Sequence, residues 1–103
     1  MADYLLRLYI TGHTQSSKDA IVNLHRICNE KLRGKYKLKI IDILERPQLA
    51  IDEKVIATPT LVKVLPPPLR RIIGDLSDME KVLIGLDLLP YISEKKIDDE
   101  DIK

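Results

Sequence analysis

The chain has 103 residues, 45% of them apolar, with neither tryptophan nor phenylalanine and a formal net charge of +1. That length supports one domain around an aliphatic core of Leu, Ile and Val, and the near-neutral balance argues against a general electrostatic grip on nucleic acid or an anionic membrane. One cysteine, Cys28, excludes an intrachain disulfide and fits a reducing cytosol.

Met1-Ala2-Asp3-Tyr4 lacks the basic and apolar regions of a signal peptide, and no apolar run approaches the ~20 residues of a membrane span. The expectation is a cytoplasmic domain with no membrane partner. Tyr4 to Thr11 alternates and reads as a strand with a buried face. Gly12 to Gln15 is a polar turn, and Ser16, three residues before Asp19, reads as a helix cap. Ala20, Ile21, Leu24, Ile27, Cys28 and Leu32 then recur at helical spacing, with Gly34 placed for a left-handed C-cap. Lys37 to Leu44 carries the near-continuous apolar pattern of a covered strand. Pro47 suits the first position of a short helix running to about Lys54 or Val55.

The stretch from Ala57 to Gly74 holds four of the six prolines inside a pattern otherwise written for β-structure. Pro59 marks a strand start, and Pro66, Pro67 and Pro68 a connection, because proline has no N–H to give to a ladder. Thr60 to Leu65 and Ile72-Ile73 are the two strand runs. Ser77 and Glu80 form a capping box, and Val82, Leu83, Leu86 and Leu89 continue as the buried stripe of a last helix that Pro90 stops. Residues 1–90 read as a single domain. Residues 91–103 hold Asp98-Asp99-Glu100-Asp101 and read as a loose acidic tail.

The element order is βαβαββα. Strands joined by a helix run parallel with a right-handed crossover, and a connection as short as Pro66 to Leu69 joins antiparallel neighbours. The prediction is a mixed four-stranded α/β sheet of the thioredoxin-like kind, with Thr58-Pro59 where that architecture commonly carries a cis-proline.

A redox enzyme of this architecture needs a reactive thiolate at the start of its first helix. Here the place reads Gly12-His13-Thr14-Gln15-Ser16-Ser17, without cysteine, and Cys28 sits on the apolar stripe as a core residue. His13 and His25 have no partners at metal-ligand spacing. No catalytic residue, metal or cofactor is expected. Lys31, Arg33, Lys35, Lys37 and Lys39 form an interrupted basic run. It reads either as a solvated edge that discourages aggregation or as a docking surface for an acidic partner. Nucleic acid is not expected there, since no aromatics flank it for base stacking.

From Ala57 to Leu89 the chain resembles the KaiB family of circadian clock proteins. The matching strings are Ala57-Thr58-Pro59-Thr60-Leu61, Lys63-Val64-Leu65-Pro66-Pro67-Pro68, Arg70-Arg71-Ile72-Ile73-Gly74-Asp75-Leu76-Ser77-Asp78 and Glu80 to Leu89. Leu8-Tyr9, Gly12, Ile41-Asp42 and Pro47-Gln48-Leu49-Ala50 match upstream. The resemblance implies a non-enzymatic partner of the KaiC ATPase. It implies a homotetrameric ground state with a rearranged C-terminal half, and a thioredoxin-like monomer that binds the N-terminal ATPase ring. It also implies KaiA and a sensor histidine kinase as further participants. By the family pattern, Gly85 and Asp87 hold the balance between the two folds, with Pro59, Pro66, Pro67 and Pro68 at their boundary. For the isolated chain the ground-state fold is expected. Lys39 fits the basic position of the strand that meets KaiA, whereas Lys37 stands where a small residue is usual. The competing readings are a glutathione-binding or transferase-like protein using Ser16 or Ser17 beside Thr58-Pro59, and a plain adaptor that never switches fold.

Overall fold

Alternation decides how β1 (Tyr4–Ile10) sits in the molecule. Leu6, Leu8 and Ile10 face one side and Tyr9 the other, because successive strand residues point to opposite faces. In the computed structural model, which describes residues 4–86, this strand lies inside the sheet. The remaining elements are α1 (Gln15–Ile27), a π-helical turn at Cys28–Leu32, β2 (Tyr36–Asp42), α2 (Pro47–Asp52), β3 (Thr60–Leu65), β4 (Arg70–Ile73) and α3 (Met79–Gly85). The strand order is β2-β1-β3-β4. β1 pairs parallel with β2, and β3 pairs antiparallel with both β1 and β4.

The two faces are covered unequally. On one, Leu6, Leu8, Ile10 and Leu61 pack against Ala20, Leu24 and Ile27 of α1 and Val82 and Leu83 of α3. On the other, Tyr9, Ile41 and Val62 form a smaller cluster with Leu49 of α2 and with Val55 and Val64. This is the expected thioredoxin-like α/β arrangement, with a cis Thr58-Pro59 bond immediately before β3. The Leu65-Pro66 and Pro67-Pro68 bonds are also cis. The structure holds the thioredoxin-like arrangement through β3, β4 and α3, where a rearranged C-terminal half is the expectation for the isolated chain.

Several local expectations are corrected. α1 is capped by Thr14, whose Oγ1 accepts from the Ser17 amide at 3.3 Å, so Ser16 lies inside the helix. The helix leaves through the π-turn with Arg33 already left-handed at φ 50, one residue ahead of Gly34 at φ 84. β2 ends at Asp42 because Asp42 Oδ1 accepts from the Leu44 amide at 3.0 Å and the Gly12 amide at 3.1 Å, which turns the chain. β2 is an edge strand, not a covered one, and Leu44 beyond it is 67% exposed. α2 stops at Asp52, where Lys54 turns left-handed at φ 58. α3 is capped by Asp78, whose Oδ1 accepts from the Lys81 amide at 3.2 Å, and not by Ser77. Asp87, Leu89, Pro90 and the acidic tail lie outside the described residues.

Candidate functional site

The position a redox enzyme would use is built from hydroxyls. The β1–α1 turn brings Thr11 against Thr58, their side-chain oxygens sharing a short hydrogen bond. Ser17, fully buried, accepts from the Thr11 amide at 3.1 Å and from the Thr14 hydroxyl at 2.8 Å. Each of these groups has a partner within the fold. Cys28 is 0% exposed, on the helix side of the sheet, and burial pushes its thiol up to about 12. The thiolate that dithiol chemistry needs is therefore disfavoured where the one thiol sits. His13 and His25 are both exposed. Among the described residues no group of His, Cys, Asp and Glu has the makings of a metal site.

The basic run is divided by the fold. Lys31 is half-buried on the π-turn, and Arg33 and Lys35 are exposed in the tight connection that follows. Lys37 and Lys39 are exposed on edge strand β2, on the face shared with Ile41. The parallel register sets Lys37 beside Leu5 and Lys39 beside Arg7. Arg7 in turn donates to Glu53 Oε2 at 3.1 Å. On the far side of β3, Arg71 stands opposite Val62 and donates to the backbone carbonyls of Glu53 at 2.9 Å and Lys54 at 3.3 Å. The surface beside α2 thus carries Lys37, Lys39, Arg7 and Arg71, with Glu53 at its centre.

Sequence reasoning placed Lys37 and Lys39 but missed Arg7, Glu53 and Arg71. Their neighbourhood depends on strand order, and the one local hint is Arg7, the single charge in the apolar run of β1. It also missed that Lys63 of β3 is 1% exposed, a burial the β-branched pattern around it conceals. Beneath α2, burial raises the Tyr9 hydroxyl above its ordinary range, partly opposed by its hydrogen bond with Arg7.

The proposed switch residues sit apart from this surface. Pro59 is buried at the start of β3, and Pro66, Pro67 and Pro68 are exposed between β3 and β4. Gly85 ends α3 and is exposed.

Residues 7–88 match the family model described as the KaiB domain. A circadian clock oscillator protein KaiB of Prochlorococcus marinus is 60% identical over 86 residues, covering 84% of this chain and 75% of that protein. Circadian clock protein KaiB3 of Synechocystis is 59% identical, covering 84% of each chain. Among solved structures, the N-terminal domain of Synechococcus elongatus SasA superposes with a TM-score of 0.69 at 22% identity, over 87% of this chain and 89% of that one. Mitochondrial thioredoxin 3 of Saccharomyces cerevisiae superposes with a TM-score of 0.68 at 21% identity, over 86% and 81%. At these identities the two structural likenesses establish the fold.

Proposed function

The chain belongs to the KaiB family, and from that premise we propose that it is a non-enzymatic cytoplasmic regulator that binds a KaiC-type ATPase on its N-terminal ring. The observation that carries this reading is a thioredoxin-like frame with hydroxyls where the redox thiols would stand, in a chain so close to clock oscillator proteins. Such a frame keeps the surfaces of a binding module and lacks the chemistry of an oxidoreductase. The test is capture of the chain by the cognate ATPase, wild type and phosphomimetic, in each nucleotide state. Retention in at least one state is expected, and absence in all of them removes the reading.

The binding-competent form is the thioredoxin-like monomer, in equilibrium with a tetrameric ground state whose C-terminal half is rearranged. A partner that binds one of two folds repopulates it by mass action. Gly85 and Asp87 set the balance, and Pro59, Pro66, Pro67 and Pro68 bound the segment that changes. A methyl at Gly85 would lie 3.2 Å from Cδ1 of Ile72. That carbon is the far end of a flexible side chain on an edge strand, so it yields by the small amount needed. Replacing a helical glycine by alanine contributes up to about 1 kcal/mol. Gly85→Ala is therefore expected to raise the monomer-to-tetramer ratio up to about fivefold, read by sedimentation, with NMR reporting the fold. An unchanged oligomer and fold would take Gly85 out of the balance.

The basic edge, Lys31, Arg33, Lys35, Lys37 and Lys39, docks an acidic surface of a clock partner, KaiA or a sensor histidine kinase alongside the ATPase. Lys37 and Lys39 support this most directly, since both are exposed on the edge strand, Lys39 beside Arg7. The double charge reversal Lys37→Glu/Lys39→Glu is expected to weaken at least one of these associations about tenfold, more at low salt than at high. If every affinity is unchanged, the lysines serve as a solvated edge.

A further inference from the structure

The C-terminal end of α2 is held from two directions. α2 has six residues, too few for a helix to be stable without tertiary support. Its last turn ends on Lys54 in the left-handed region at φ 58, a conformation that costs a non-glycine residue about 1 kcal/mol or more. From β1, Arg7 holds the Glu53 carboxylate at 3.1 Å. From β4, Arg71 reaches across β3 and donates to two outward carbonyls at the same end, those of Glu53 and Lys54. Cationic donors suit this location, since the helix C-terminus presents unpaired carbonyls and the negative end of the dipole.

We infer that Arg71 is a latch that joins β4 to the C-terminal end of α2 and fixes the posture of the α2–β3 connection leading into Thr58-Pro59. That connection displays Ile56, 88% exposed, and follows the last turn of α2, where Ile51 is 66% exposed. The latch therefore makes the placement of an exposed apolar segment depend on the pairing of an edge strand more than fifteen residues later in the chain. Coupling of this kind needs a contiguous physical link between the two elements, and the Arg71 guanidinium supplies one. The inference concerns the thioredoxin-like state alone, so it stands or falls separately from ATPase binding.

Amide hydrogen exchange on the whole chain tests it, at a dilution where sedimentation shows the monomer and NMR the thioredoxin-like fold. The reporters are the amides of Glu53, Lys54 and Val55, which donate to Leu49, Ile51 and Ala50 at 3.0, 3.1 and 2.9 Å. Arg71→Met is expected to speed their exchange about tenfold relative to wild type, with amides in the β1–β2 ladder unchanged. Arg71→Lys recovers part of the protection, because an ammonium keeps the charge but reaches one bond less far than the guanidinium nitrogen that makes both contacts. Adding Lys54→Gly to Arg71→Met recovers more, because glycine adopts the left-handed turn without a latch. Arg70→Met, on the opposite face of the same strand, leaves the reporters unchanged. Unaltered exchange at 53–55 in Arg71→Met overturns the inference. So does equal acceleration in Arg70→Met, or acceleration spread evenly over β1 and β2, either of which assigns Arg71 to general sheet stability.

Discussion

Replacing Leu8 by alanine is expected to lower the free energy of unfolding by about 2–5 kcal/mol. Leu8 is 0% exposed on an inner strand, opposite Leu61 of β3, itself 0% exposed, and beside Ile40 of β2. Its side chain belongs to the cluster that α1 and α3 close over the sheet. Truncation removes apolar area from water-free surroundings and leaves a cavity that strands on both sides prevent from collapsing. A domain of this size has only about 5–15 kcal/mol of net stability, so the loss is a large part of the whole. The measurement is the denaturant midpoint at constant slope, with Val22→Ala as control. Val22 lies on α1 but is 67% exposed, and a surface change of that kind falls within about 0.5 kcal/mol. Equal shifts for the two variants would mean that Leu8 does not face the helices.

The second large effect appears in alkali. Burial raises the Cys28 thiol from 9.0 to about 12. Below pH 9 both folded and unfolded chains keep the proton, so this residue gives stability no pH dependence there. Between pH 9 and 12 the unfolded chain releases the proton while the fold retains it, so the unfolded state binds fewer protons and stability falls as pH rises. The slope reaches about 1.4 kcal/mol per pH unit, and the full window is worth roughly 4 kcal/mol. Tyr9, also raised by burial, adds a decline of the same sign at the upper end. Cys28→Ala is expected to flatten the stability profile between pH 9 and 10 relative to its own lower starting point. In the native protein at pH 8, Cys28 is also expected to resist thiol-specific labelling until the chain is unfolded. A profile unaltered by Cys28→Ala, or prompt labelling of the folded chain, would place this sulfur in contact with solvent.

Most of the secondary structure was legible from local chemistry. Helical spacing from Ala20 to Leu32 identified α1 and its continuation, and proline positions bounded β3 and the β3–β4 connection. Errors fell where two candidate groups compete for one task. Thr14 and Ser16 are both good caps, as are Asp78 and Ser77, and the choice depends on which residue takes extended backbone geometry just before the helix. The covered-strand reading of residues 37–44 failed because the strand ends at Asp42 and Ile43 and Leu44 lie in the turn after it, and a strand's periodicity does not say whether it has one neighbour or two.

The same distinction divides the candidate surfaces. The sequence by itself determined that the first helix begins without a thiol, that Cys28 lies on an apolar stripe, and that Lys37 and Lys39 share one face of a strand. These follow from spacing along one element, where the period fixes which side chains lie together. Strand order decided the rest. With β3 between β1 and β4, Arg7 and Arg71 approach α2 from opposite sides and meet at Glu53, and Lys39 comes to lie beside Arg7 on an open edge. Those residues are far apart in the chain, and no local pattern encodes which strand will hydrogen-bond to which. The meeting of Arg7, Glu53 and Arg71 is therefore a product of tertiary pairing, settled by which arrangement buries the aliphatic faces of the whole sheet at once.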